Sequence, residues 1–302
     1  MNGMDARGWP PPPIGVISMF YARPFGPEHL PLFARMRAAG MDLCELLVPE
    51  EDELDPALAG RAAREAGLGL VLAARVNLAR DLASADPASH AAARAYLRRC
   101  VDVAVACGAT IVGGPLYGSP LVFAGRAPTP IAEPERLERV ERVVAGLREA
   151  GGYAAEHGVR LAVEPLNRFE TDFCNTTRQC AELVALVDSP AVGIMLDTFH
   201  MAMEEDDLPA AIRAAGARLF HMQANENHRG FLGTGHLPWP AICRALREIG
   251  YAGPVVLEPF RRDDDRLSVP LAQWRAPARG EDAELAASAA FLRGAFAAAA
   301  WR

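Results

Sequence analysis

The chain has 302 residues, 51% of them hydrophobic, and its 38 acidic and 31 basic side chains give a formal net charge of −7. Every basic residue is an arginine. The absence of lysine excludes Schiff-base aldolase chemistry, pyridoxal phosphate catalysis and a P-loop. The acidic balance disfavours nucleic-acid binding, which depends on clustered cations, so small neutral or weakly acidic substrates fit the composition better.

The N-terminal segment MNGMDARGWPPPP (1–13) lacks the basic and apolar regions of an export signal. The rest of the chain has no run of about 18 uncharged apolar residues, the length that a membrane span requires. We therefore expect a cytoplasmic protein with no membrane partner, in which residues 1–13 form a disordered lead-in. The six cysteines show no CxxC spacing, which predicts reduced core residues, with a Cys174–Cys180 regulatory disulfide as a minor alternative.

After the lead-in, apolar runs alternate with helical stretches at a regular spacing. Eight runs are predicted as buried parallel strands: 14–21, 42–48, 69–76, 109–117, 160–167, 192–200, 218–226 and 254–261. The alternation predicts an α/β fold, a single (β/α)8 TIM barrel over residues 14–302 that includes a C-terminal helix. Two long loops, 118–132 and 262–281, are expected to cover the active site or to build an interface.

Four oxygen-bearing side chains lie at the tips of the last four predicted strands: Glu164, Asp197, Gln223 and Glu258. Their separations of 33, 26 and 35 residues each match one strand-plus-helix unit, so all four should meet at the carboxyl rim of the barrel. Carboxylate and amide oxygens without thiolates select hard or borderline cations. The pattern predicts a site for Mn²⁺, alternatively Mg²⁺ or Co²⁺, and no organic cofactor.

Five motifs resemble the ketose 3-epimerase branch of the sugar isomerase/epimerase superfamily, whose barrels are related to xylose isomerase. They are GGPLYG (113–118), EPLNRFET (164–171), LDTFHM (196–201), ENHRGFLGTGHLPW (226–239) and EPF (258–260). The similarity extends over residues 14–261 and includes D-tagatose and D-psicose 3-epimerases. It implies a metal-dependent epimerase or isomerase of a free keto-sugar, acting at C3 through a cis-enediolate.

The resemblance also implies roles for individual residues. Glu164 and Glu258 match the glutamates that both bind the metal and act as the acid/base pair, and Asp197 matches a pure metal ligand. Substrate-contacting positions are matched by Glu170, His200 and Arg229, and apolar walls of the substrate site by Phe260 and Phe20.

The seventh strand departs from the family pattern. The 3-epimerases usually place a histidine ligand where this chain has Gln223, and a glutamine resembles the hydroxypyruvate isomerase branch. His221, two residues earlier, should point to the same side of the strand one layer deeper. His228 and His236, in a polar loop, are expected at the surface.

Several functions share proton abstraction beside a carbonyl. The alternatives are a hydroxypyruvate-type or aldose/ketose isomerase, and a metal-dependent lyase of 3-keto-glycosides resembling C-glycoside deglycosidases. A non-catalytic binding subunit is a further alternative, whereas an abasic-site endonuclease is disfavoured by the charge and the seven histidines. The alanine-rich helix at 283–302 is expected to pack on the barrel or on a second subunit, in a homodimer or homotetramer.

Overall fold

The computed structural model describes residues 9–118, 130–262, 264–269, 273–275 and 280–300. Within them, eight parallel strands form a closed barrel in sequence order, with β1 paired to both β2 and β8. The strands are β1 (Ile14–Ile17), β2 (Leu43–Leu47), β3 (Gly69–Ala73), β4 (Ile111–Gly114), β5 (Arg160–Val163), β6 (Val192–Asp197), β7 (Leu219–Ala224) and β8 (Val255–Leu257). The predicted TIM barrel is therefore confirmed.

Helices follow the strands and cover the outside of the barrel. They are α1 (Leu32–Ala38), α2 (Pro56–Glu65), α3 (Pro87–Cys107), α4 (Glu133–Glu156), α5 (Thr177–Val187), α6 (Thr198–Glu204), α7 (Leu208–Ala215), α8 (Trp239–Glu248), α9 (Asp265–Ser268) and α10 (Glu281–Ala300). Local sequence sets several boundaries. Asp86 caps α3 through the Ala88 and Ser89 amides, Pro87 occupies the first turn, and Gly108 ends the helix at φ 81°.

Each strand lies within its predicted range but is shorter. The predicted strand 192–200 ends at Asp197, because the Asp197 side chain caps α6 by accepting from the Phe199 amide. The predicted strand 160–167 ends at Val163, so Glu164 is the first residue beyond β5. Several apolar runs extend beyond their strands because residues just above the rim are also buried, as at 164–167, 225–226 and 258–260.

The predicted lead-in falls partly outside the described residues, since residues 1–8 are not among them. Trp9 donates its indole N–H to the Tyr251 carbonyl at 2.8 Å and packs edge-on against Phe296. We therefore propose that Trp9, although it falls in the predicted lead-in, belongs to the packed structure. Of the two long predicted loops, residues 119–129, 263, 270–272 and 276–279 also lie outside the described part.

The C-terminal helix α10 packs on the barrel against α8. Leu285, Leu292 and Phe296 are buried, and Ser288 accepts a hydrogen bond from the Leu232 amide at 3.0 Å. In the part of the chain that the structure describes, α10 is the one helix with the length and apolar composition of a membrane span. Helices packed in a protein core have the same composition, and the contacts with α8 place α10 among them.

Candidate active site

The four predicted ligand residues lie together at the carboxyl ends of β5, β6, β7 and β8. Glu164 and Glu258 directly follow β5 and β8, and Asp197 is the last residue of β6. Gln223 in β7 is the register partner of Asp197. All four are buried. The two glutamates are thus three strands apart around the rim, with Asp197 and Gln223 between them.

Asp197 leaves one carboxylate oxygen for a ligand. Its Oδ1 accepts hydrogen bonds from the Phe199 amide at 2.9 Å and from Asn225 Nδ2 at 3.0 Å. Its Oδ2 is buried and has no hydrogen-bond partner among the described residues. A buried carboxylate oxygen without a partner is costly unless a cation or a ligand satisfies it, so the donor set fits a divalent metal ion.

The crowding of buried acids changes their proton affinities. Burial, followed by the charges of Asp197, Glu258 and Glu45, raises the pKa of Glu164 well above its usual value. Burial and the nearby carboxylates raise the pKa of Glu258 to about 8, against the opposing effect of Arg229. Such an arrangement is typical of acid/base sites and of sites that bind cations.

His200 lies in α6, above Asp197. Its Nδ1 accepts the Asn167 backbone N–H at 3.1 Å, so the neutral ring carries its proton on Nε2. Nε2 lies 3.7 Å from Glu164 Oε1 and 3.6 Å from Asp197 Oδ2. Burial and Arg229 lower the His200 pKa well below its usual value. Glu164, Asp197 and His200 lie close enough to share an ion, and in this tautomer the His200 Nε2 carries a hydrogen that it can donate.

Arg229 connects the ligand cluster to the predicted substrate-binding residues. Its guanidinium donates to Glu170 Oε1 at 3.0 Å and to Glu258 Oε2 at 3.4 Å. The same group lies over the Phe199 ring at 4.6 Å and the Phe260 ring at 4.3 Å. Glu170 also accepts from Asn167 Nδ2 at 3.0 Å.

Phe20, His228 and His236 are the other residues that the sequence analysis considered for the site. Phe20 is fully buried and packs edge-on against Tyr21 and Phe231, so its role as a substrate wall stays a prediction. His236 is exposed, as expected. His228 is half-buried, and its Nε2 lies 3.2 Å from Thr234 Oγ1.

Sequence reasoning missed Glu45 in β2. Its carboxylate is fully buried and contacts both His221 and Gln223 at 2.8 Å. These contacts confirm that His221 and Gln223 point to the same side of β7. A glutamate inside the apolar string LCELL was the available signal, because a buried charge needs partners. Asn225, which donates to Asp197 and Glu258, was also missed.

Comparison with known proteins agrees with this architecture. The chain belongs to the xylose isomerase-like TIM barrel family, which matches residues 33–294. It is 32% identical to L-ribulose 3-epimerase of Methylomonas sp. (strain DH-1), over 78% of this chain and 81% of the relative. It is 29% identical to D-psicose 3-epimerase of Agrobacterium fabrum, over 89% and 92%. The chain is thus an enzyme of the epimerase and isomerase class.

A solved structure supports the same family assignment. A solved structure of an L-ribulose 3-epimerase superposes on this chain with a TM-score of 0.86 at 30% identity, and the match covers 95% of both chains. The predicted resemblance to the ketose 3-epimerase branch is therefore confirmed.

Proposed function

We propose that this protein is a divalent-metal-dependent 3-epimerase of a free keto-sugar. The observation that carries the proposal is the pair Glu164 and Glu258, buried three strands apart at one rim. Between them lies Asp197 Oδ2, which has no hydrogen-bond partner in the part of the chain that the structure describes. Two carboxylates on different sides of a bound sugar allow one to remove the C3 proton and the other to return it to the opposite face. The ketose 3-epimerase relatives support this reaction.

The surrounding residues suit a sugar. His200 Nε2–H can donate to a substrate oxygen, and its Nδ1 is held by Asn167. Arg229 presents a fixed fork of donors for hydroxyl groups, while Phe260 supplies an apolar surface beside it. Glu170 holds the Arg229 guanidinium in place.

Glu164, Asp197, Gln223 and Glu258 would hold the metal. When bound, a divalent cation would stabilise the negative charge that develops on the substrate oxygens as the proton leaves. An oxygen-rich donor set favours Mn²⁺, then Mg²⁺ or Co²⁺. A cytoplasmic location and a homodimer or homotetramer stay predictions from the sequence.

Gln223 favours a second candidate. A glutamine at this position resembles the hydroxypyruvate isomerase branch, so the alternative is a hydroxypyruvate-type or aldose/ketose isomerase, which moves a proton between the carbonyl carbon and the hydroxymethyl carbon beside it. The same acid pair would serve it. A lyase of 3-keto-glycosides would also begin with proton abstraction and is tested alongside.

The test is hydrogen exchange. The Mn²⁺-loaded protein is incubated in D₂O with psicose, fructose, tagatose, ribulose, hydroxypyruvate and a 3-keto-glucoside, and NMR locates the deuterium. We expect label at C3 with an inverted product. Label on the hydroxymethyl carbon beside the carbonyl, which is C1 of a ketose and C3 of hydroxypyruvate, would assign an isomerase. Release of an aglycone would assign a lyase, and no label on any substrate would contradict the proposal.

A further inference from the structure

The buried carboxylate of Glu45 lies below the rim, inside the barrel. It sits in β2 between Cys44 and Leu46, in a strand that is otherwise apolar, and it is fully buried. Burying a carboxylate in such surroundings is costly unless hydrogen bonds compensate. Its partners therefore indicate what it is for.

Both partners come from β7, three strands away around the barrel. Glu45 Oε1 lies 2.8 Å from His221 Nε2, and Oε2 accepts from Gln223 Nε2 at 2.8 Å. Gly113 leaves room for this arrangement, because a Cβ there would lie 3.1 Å from His221 Cδ2 and 2.6 Å from Met195 Sδ. The carboxylate thus spans the barrel interior and holds the two inward-facing residues of one strand.

The contact decides which end of the Gln223 amide faces the ligand cluster. An amide has an accepting oxygen and a donating nitrogen, and only the oxygen can bind a cation. An ionised carboxylate accepts hydrogen bonds and cannot donate them. Glu45 therefore fixes the amide nitrogen on itself, which leaves Gln223 Oε1 as the atom available to the rim.

We propose that Glu45 is a positioning residue that orients the Gln223 amide so that its carbonyl oxygen completes the ligand set of Glu164, Asp197 and Glu258. The inference rests on the proposed metal site. Removing a residue that orients a metal ligand commonly lowers metal affinity or activity by about 10- to 100-fold.

A double-mutant cycle on Mn²⁺ affinity tests the proposal. Free Mn²⁺ is titrated against wild type, Glu45→Gln, Gln223→Ala and the double variant, with electron paramagnetic resonance as the readout. We expect Glu45→Gln and Gln223→Ala each to weaken binding by about 10- to 100-fold. The double variant should bind as Gln223→Ala does, within about threefold, because Glu45 acts through Gln223.

Two results would contradict the positioning role of Glu45. Unchanged Mn²⁺ affinity in Glu45→Gln would show that the amide needs no orientation. An equal loss from Glu45→Gln in the Gln223→Ala background would show that Glu45 affects the site by general structure or charge. Glu182→Gln, on the exposed face of α5, is the matched control and should bind Mn²⁺ as wild type does.

Thermal melting of each variant separates folding from positioning. If Glu45→Gln does not fold, the cycle is repeated with Glu45→Leu combined with His221→Leu, which removes both buried polar partners together. The deuterium assay distinguishes failure of the epimerase proposal from failure of the positioning role of Glu45. If the Mn²⁺ affinities follow the expected cycle but the wild type exchanges no hydrogen, the epimerase proposal alone is refuted. If the wild type binds no Mn²⁺, the positioning role of Glu45 is refuted as well.

Discussion

Arg229 is the residue through which the acids and the aromatic side chains of the rim are connected. It has a left-handed backbone, with φ 58°, and its guanidinium lies between the rings of Phe199 and Phe260 while it donates to Glu170 and Glu258. Burial alone would lower its pKa, but the surrounding carboxylates raise it, so the group stays charged. A planar cation suits this position because it can stack and donate at the same time.

Arg229→Lys should therefore weaken catalysis while keeping the charge. Lysine has neither the flat face nor the fork of donors, and we expect kcat/KM for the best keto-sugar to fall about 10- to 100-fold, or roughly 1.4–2.7 kcal/mol. Arg168→Lys is the matched control, since Arg168 is exposed and pairs with Glu204. Equal losses in both variants would argue against a role for the guanidinium in substrate binding.

A further prediction concerns Glu164 and Glu258, the proposed acid/base pair. Glu164→Gln and Glu258→Gln keep the size of each side chain but remove its ability to accept a proton, so each should lower kcat by at least about 100-fold. Deuterium wash-in at C3 by NMR measures the loss, and Glu182→Gln on α5 is the control. Substantial turnover in either variant would refute the acid/base assignment.

At the scale of elements, β7 and α10 organise the site from inside and outside the barrel. β7 supplies His221 and Gln223 to Glu45, and Asn225 directly after the strand bonds to Asp197. α10 supports the loop that follows β7 by accepting the Leu232 amide on Ser288. Arg262, just beyond β8, donates to Glu281 and Glu284 of α10. The helix α10 thus contacts the loop after β7 and the chain just beyond Glu258.

Packing should dominate the contribution of α10 to stability. Phe296 is fully buried and meets Trp9 edge-on at 5.8 Å, so Phe296→Ala should destabilise the protein by about 3–5 kcal/mol. Phe291→Ala, on the same helix, removes a side chain that is 39% exposed and should cost clearly less. Urea midpoints followed by circular dichroism measure both. Equal shifts would mean that α10 does not pack on the barrel in solution.

At the scale of the whole molecule, the fold holds several buried carboxyl groups close together at one rim of the barrel. Binding of a metal to the folded state alone should stabilise it by about 2.7 kcal/mol when free metal is 100 times Kd. For a chain of this size the corresponding rise in Tm is about 5 °C. Melting of EDTA-treated protein with and without Mn²⁺ measures the shift.

Asp197→Asn provides the contrast, because it removes the charge of a predicted ligand and keeps a side chain that can cap α6. The Mn²⁺-induced rise in Tm should be largely lost in this variant. Asp207→Asn alters a second capping aspartate, at the start of α7, and should keep the full rise. Loss of the rise in both variants would assign the effect to capping instead of metal binding.

The amino-acid sequence by itself determined the barrel and the region of its site. Eight apolar runs at a regular spacing are enough to indicate parallel strands with covering helices, and acids at four strand tips must meet once those strands close. Only the tertiary structure decided how the acids are held. Glu45 lies 176 residues from His221 and 178 from Gln223, and no local pattern relates β2 to β7. Barrel closure brings them together because inward-facing residues of distant strands share one interior.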